Sequence, residues 1–206
     1  MPQETWYGAA AGSLGMWMAM MVPMMLPSLL PMLSRHRRSV RGVDGIHLHE
    51  LTALAGLGYF VIWAGLGAVA CAGAAGVMAV EARWAAVAQA LPVAAGVVLL
   101  LAGGVQPTPW KARQLAQWRD GSGRGCPPAP NALGAWKHGL RLGVRCALCC
   151  GNLMLAPLAI GMMNLLAMAA VTLVISAERL APVPLRITRV AGVAIVAASM
   201  LTIARF

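Results

Sequence analysis

The sequence predicts an all-α protein, a polytopic transmembrane helical bundle of about six spans. Two observations carry that prediction. Of 206 residues, 60% are hydrophobic and only 11% charged, and the mean hydropathy is +0.73. A soluble domain carries charge on about a quarter of its residues. The second observation is that the apolar runs reach about 20 residues, enough to cross a hydrocarbon core. The whole chain, 1–206, reads as one integral membrane domain whose first partner is the lipid bilayer. The net charge of +10 would suggest nucleic acid in a soluble chain. Here the basic residues fall between apolar runs, and no aromatic-basic interleaving supports a nucleic-acid partner.

The first span runs over about 9–33 and ends in a basic cluster, Ser34-Arg-His-Arg-Arg-Ser-Val-Arg41. The N-terminus has no basic leader and no small-residue cleavage site, so this run reads as a retained span. The second span, about 51–78, is rich in Gly and Ala and is expected to pack in the bundle interior, because small residues let helices approach closely. The third, about 84–105, contains Pro92. A polar connection follows at 106–135, where Lys111–Arg119 is expected as a short interfacial helix with Trp110 and Trp118 at headgroup depth. From Trp136 to Ile175 the chain is almost continuously apolar. Forty residues of helix would be about 60 Å long, twice the membrane core. Pro157 and Gly161 therefore divide it into spans at about 136–158 and 161–178. The sixth span is about 184–204.

Basic residues test the count independently. The first connection carries Arg35, Arg37, Arg38 and Arg41, the third with its flanks Lys111, Arg113, Arg119, Arg124, Lys137, Arg141 and Arg145, and the fifth Arg179, Arg186 and Arg189. The second carries Glu81 and Arg83, and the fourth carries no charge. The alternation places the odd connections in the cytoplasm. It predicts a multi-pass protein of the cell inner membrane with both termini on the non-cytoplasmic side.

Candidate chemistry is concentrated on sulfur. Met16, Met18, Met20, Met21, Met24, Met25 and Met32 crowd the first span, with Pro23, Pro27 and Pro31 among them. Met16, Met20 and Met24 recur every four residues and share a helix face. Thioethers suit soft ions such as copper(I), although methionine also fills gaps in apolar interiors. The fourth span carries Cys146-Ala-Leu-Cys149-Cys150. Cys146, Cys150 and Met154 stand one above another at helical spacing, with Cys149 about 100° round from Cys150. His138 precedes them on the same helix. The fifth span opens with Met162, Met163 and Asn164, and Asn164 needs a hydrogen-bond partner inside an apolar run. That partner is expected among the carbonyls freed by the prolines of a bent first helix. By the predicted topology these sulfur groups share the outer half of the bilayer.

Other polar groups read more plainly. Glu178 beside Arg179 reads as a solvated pair at the cytoplasmic boundary. His47, His49 and Glu50 could bind a divalent ion, but a solvated loop is the preferred reading. No Gly-rich phosphate loop, Ser/His/Asp set or paired carboxylates occur, so no catalytic residue is assigned and the chain does not read as an enzyme.

Three motifs resemble a bacterial family of unknown function, DUF2182, described as predicted metal-binding integral membrane proteins. They are Met18-Ala-Met-Met-Val-Pro-Met-Met-Leu-Pro-Ser28, the run Gly134-Ala-Trp-Lys-His-Gly-Leu-Arg-Leu-Gly-Val-Arg-Cys-Ala-Leu-Cys-Cys150, and Gly161-Met-Met-Asn-Leu165 with Glu178-Arg179. The resemblance spans about 16–180. It implies a helical membrane protein with a metal site drawn from Cys146, Cys149, Cys150, Met162, Met163 and Asn164. Members of that family carry a His-Gly pair four residues before the first cysteine, where this chain has Leu142-Gly143. They also carry two cysteines in the cytoplasmic connection, where this chain offers only Cys126.

The leading reading is a membrane protein that binds or moves a soft transition metal, most simply copper(I). Its ligands would come from Cys146, Cys149, Cys150 and Met154, from Met16, Met20, Met21 and Met24, and from Met162 and Met163. Asn164 and His138 would support them. One alternative is a non-catalytic accessory or assembly subunit of a larger membrane complex, or a homo-oligomer. Another is a membrane thiol oxidoreductase using Cys146 and Cys149.

Overall fold

The computed structural model describes residues 3–39, 45–119, 131–160, 165–181 and 184–203. The described residues form helices α1 (Gln3–Ser39), α2 (Gly45–Glu81), α3 (Ala85–Val105), α4 (Pro109–Arg119), α5 (Ala132–Ile160), α6 (Leu165–Leu180) and α7 (Pro184–Ile203), with no strand among them. Among the described residues four stretches are long and apolar enough to cross a membrane: Ala10–Ser34, Gly45–Glu81, Ala85–Val105 and Ala132–Leu158. The chain is therefore an all-helical protein with the character of a membrane bundle. The helices α6 and α7 fall on the segments expected as the fifth and sixth spans, but neither is among these four stretches.

Two compact units divide the chain: Met1–Ala85 with Gly125–Val144, and Ala86–Arg124 with Arg145–Phe206. Each has its own close helix crossings.

In the first unit, α1 runs unbroken through Pro23, Pro27 and Pro31. Each proline removes the N–H that would serve the carbonyl four residues earlier. Ser28 Oγ donates to Met25 O at 2.9 Å and Ser34 Oγ to Pro31 O at 2.8 Å. The buried side of α1 is Trp17, Met21, Met24, Met25, Ser28, Leu29 and Met32, an i, i+3, i+4 stripe of the kind a helix buries. Trp17 Nε1 donates to Trp63 O at 3.0 Å, and its indole fills the space at Gly67 of α2. On α2 the buried stripe is Leu51, Ala55, Gly58, Tyr59, Trp63 and Gly67.

The first part of α5 crosses α2 almost backbone to backbone. A Cβ added at Gly139 would collide with the Ala55 carbonyl, and one at Gly58 would lie 2.8 Å from Trp136 O. Small residues thus set this crossing, as they do in membrane bundles. The Gly/Ala-rich second span, expected to pack in the bundle interior, buries a stripe only along its first part. Its second half is mostly exposed, and Gly65, Gly73 and Gly76 face open space. A small-residue composition permits close packing without specifying which positions use it.

In the second unit, α3 and α7 meet at Gly103 and Gly192. A Cβ at Gly192 would come within 3.0 Å of Gly103 O, and one at Gly103 within 3.1 Å of Gly192 O. A tight corner joins α3 to α4. Thr108 sits immediately before Pro109, and the Lys111 N–H donates to Thr108 Oγ1 at 3.4 Å. A threonine N-cap followed by proline at the first helical position is a favoured helix start. The cap aims the next turn, and Lys111, Leu115 and Trp118 become the buried side of α4. The short helix expected over Lys111–Arg119 is thus observed as α4, with one of its two tryptophans packed inside the protein. Trp110 is 45% exposed, but Trp118 is only 3% exposed. Asn131 opens α5 in the same manner, its Oδ1 accepting the Gly134 N–H at 2.7 Å.

Candidate metal centre

The site in the second unit is built on α5, where residues four apart lie on one face. Cys146 and Cys150 bring their sulfurs to 3.7 Å. The Cys150 thiol also donates to the Cys146 carbonyl at 3.0 Å, the bond by which a short polar side chain folds back on its own helix. Met154 continues the face by one turn. Cys146, Cys149, Cys150 and Met154 are all buried. Together with Cys71, the three α5 cysteines carry thiols and no disulfide. Among the described residues no three His, Cys, Asp or Glu side chains converge as a metal-holding group. The sulfur pair that forms is Cys146 with Cys150.

The charges around this face were not legible as a site from the sequence. Lys111 is fully buried, and its Nζ lies 3.1 Å from Glu178 Oε2. The same ammonium donates to Cys149 O at 2.5 Å and approaches Asn152 Oδ1 at 3.5 Å. Gln106 Nε2 donates to Glu178 Oε1 at 2.9 Å, and Gln106 Oε1 accepts from Asn152 Nδ2 at 3.0 Å. Asn152 Nδ2 also reaches Ala102 O at 3.3 Å. Lys111, Glu178, Gln106 and Asn152 thus close a ring that ties the corner after α3 to α4, α5 and α6. A buried ion pair persists only when its remaining donors and acceptors are satisfied, and this ring satisfies them.

Glu178 and Arg179 are therefore not a solvated pair; they are 1% and 6% exposed. Arg179 turns toward α5 and α4. Its Nη2 donates to Cys146 Sγ at 3.1 Å, and its guanidinium carbon lies 4.0 Å over the centre of the Trp118 ring. Arg119 closes the end of α6, with Nη1 donating to Ala181 O at 2.5 Å, a favourable place for a cation at a helix C-terminus.

The other predicted donors are distributed as follows. On α1, Met21 and Met24 are buried, Met20 is half-buried, and Met16 is 45% exposed. The four-residue Met16/Met20/Met24 ladder therefore drifts from the exposed to the buried side, and Met25 and Met32 join the buried stripe instead. His138 on α5 is half-buried. Met162, Met163, Asn164 and Cys126 lie outside the described residues, as does the expected contact of Asn164 with proline-freed carbonyls. His47 and His49 are exposed, and His47 Nδ1 lies 3.2 Å from Glu50 Oε2; the segment is solvated as expected, but it forms the start of α2 and not a loop.

The donor set can be tested against a soft ion. Two metal–thiolate bonds of about 2.3 Å can span sulfurs up to about 4.6 Å apart, and the observed 3.7 Å falls inside that reach.

A family model described as "PpoB2: Copper chaperone" matches residues 14–202 of the chain. No curated protein and no solved structure matches it. The match agrees with the metal-binding character that the DUF2182 resemblance implied, at the level of copper, but it does not carry the DUF2182 name.

Proposed function

Because the chain belongs to the PpoB2 copper chaperone family, we propose that it is a multi-pass inner-membrane protein whose cargo is copper(I), held first by Cys146 and Cys150. The observation that carries this reading is the buried sulfur pair, 3.7 Å apart, with a guanidinium on one of its members. Thiolates are soft ligands that select copper(I) among available ions. They must lose their protons to bind, so loading releases protons. Met154, one turn further and buried, supplies a thioether of weaker affinity. A thiolate pair followed by a thioether suits a chaperone, since the ion can pass from sulfur to sulfur by ligand exchange without entering water. Cys149 is adjacent to the pair and serves as a further stop.

The methionines of α1, chiefly Met21 and Met24, form a second group of thioether donors in this reading, with Met16 and Met20 toward the exposed side. Met162 and Met163 are assigned the same role, supported by Asn164. His138 stays a supporting group near the start of α5. Both termini lie on the non-cytoplasmic side, a placement supported by the alternation of basic connections.

The test is the copper-to-protein ratio of the purified full chain after loading with copper(I) under reducing conditions. Wild-type protein is expected to retain copper through a desalting step. The Cys146→Ser/Cys150→Ser variant should lose most of it, and Cys71→Ser should retain it. Equal copper in all three would rule out the α5 pair as the site.

A further inference from the structure

We propose that Arg179 sets the charge of the ion that the α5 pair accepts, favouring a soft monovalent cation over a soft divalent one. This rests on the reading of Cys146 and Cys150 as the metal pair and names the class of ion it takes. Loading a monovalent ion follows the balance M⁺ + 2 RSH → [M(SR)₂]⁻ + 2 H⁺. The two thiol protons leave, and the loaded centre carries one negative charge. With a divalent ion the same two protons leave and the centre is neutral.

An uncompensated charge in an apolar bundle is costly. Arg179 supplies the opposite charge at the right place, with Nη2 3.1 Å from Cys146 Sγ. A guanidinium stays protonated throughout, so this charge is fixed. Its position is fixed too. Trp118 lies beneath it at 4.0 Å, and the preceding residue, Glu178, is pinned by Lys111 and Gln106. The Lys111–Glu178 pair cancels its own charge at short range and acts nearly equally on either ion. Arg179 attracts the negative centre as a full charge and the neutral centre only as a dipole. At about 5 Å and an effective dielectric of about 20, that difference is worth on the order of a hundredfold in relative affinity. Replacing Arg179 removes this attraction whatever its other partners, so the variant reports it.

Silver(I) and cadmium(II) are isoelectronic soft ions that differ by one charge, and comparing wild type with Arg179→Gln cancels their different coordination preferences. Both are titrated into the purified full chain in detergent micelles, in competition with dithiothreitol, a dithiol with no fixed cation. Wild-type protein should favour silver(I) over cadmium(II) by on the order of a hundredfold more than dithiothreitol does. Arg179→Gln should lose most of that preference, chiefly through weaker silver(I) binding. Arg179→Lys, which keeps the charge, should retain it to within about tenfold. A wild-type preference no greater than that of dithiothreitol overturns the proposal, and this holds even if Arg179→Gln does not fold. So does an Arg179→Gln variant that weakens both ions equally. Silver(I) binding that survives Cys146→Ser/Cys150→Ser would instead remove the site reading beneath it.

Discussion

Lys111 and Glu178 form an ion pair with an N···O distance of 3.1 Å, and neither side chain is more than 2% exposed. One lies on α4 and the other near the end of α6, so the pair locks two helices that frame the cysteine face of α5. Ionisable residues inside membrane bundles are rare and pair with one another when they occur. Lys111→Met leaves Glu178 buried without its cation and should cost about 3–5 kcal/mol. The double variant Lys111→Met/Glu178→Met removes both charges and should recover part of that loss. Thermal unfolding in micelles checks the order: double variant above Lys111→Met alone. A Lys111→Met variant as stable as wild type would mean the pair does not hold the helices.

The crossing of α2 with α5 gives a sharper steric expectation. A side chain at Gly139 would meet the Ala55 backbone, which cannot rotate away, whereas Gly76 faces open space. Gly139→Leu should destabilise by about 3 kcal/mol or prevent folding, as overpacking does. Gly76→Leu should be close to neutral. Yield and melting temperature of the two variants separate these outcomes.

Trp17 tests the α1–α2 contact. Trp17→Phe keeps most of the ring's apolar area and removes the hydrogen bond to Trp63 O. A loss of about 0.5–1.5 kcal/mol is expected. Denaturant unfolding measures it, and an unchanged midpoint would show that the bond contributes nothing.

The buried methionines of α1 can be separated from the exposed one. Met→Leu nearly conserves volume and removes the sulfur. If the α1 thioethers hold copper, Met21→Leu/Met24→Leu should lower copper per chain while Met16→Leu leaves it unchanged. The metal content of the three proteins, matched for stability, decides this. Equal copper in all three would make the α1 stripe a packing surface only.

The helices were legible because their boundaries are written locally. The third span, expected at about 84–105, is α3, Ala85–Val105, and prolines and charges bracket most of the others. The cysteine face was legible for the same reason, since residues 146, 150 and 154 stack on any helix. The charged ring was not. Whether Lys111 faces water or Glu178 depends on helices far apart in sequence, and hydropathy treats both as surface residues. Weak local signals did exist. The Thr108-Pro109 cap fixes where α4 starts, and from there Lys111, Leu115 and Trp118 share a face. Asn152 is a polar residue inside an apolar run, the same signal that drew attention to Asn164. Reading Glu178-Arg179 as a solvated pair failed because adjacent residues on a helix point about 100° apart. Each therefore met a different partner, Lys111 for one and Cys146 with Trp118 for the other.

The central claim is that copper(I) sits on the sulfurs of Cys146 and Cys150. X-ray absorption at the copper edge of the loaded full chain tests it most directly. The expected result is a reduced copper ion with two or three sulfur neighbours at roughly 2.3 Å, and loss of that sulfur shell in Cys146→Ser/Cys150→Ser. A first shell of nitrogen and oxygen only, or an identical sulfur shell in the double variant, would contradict it.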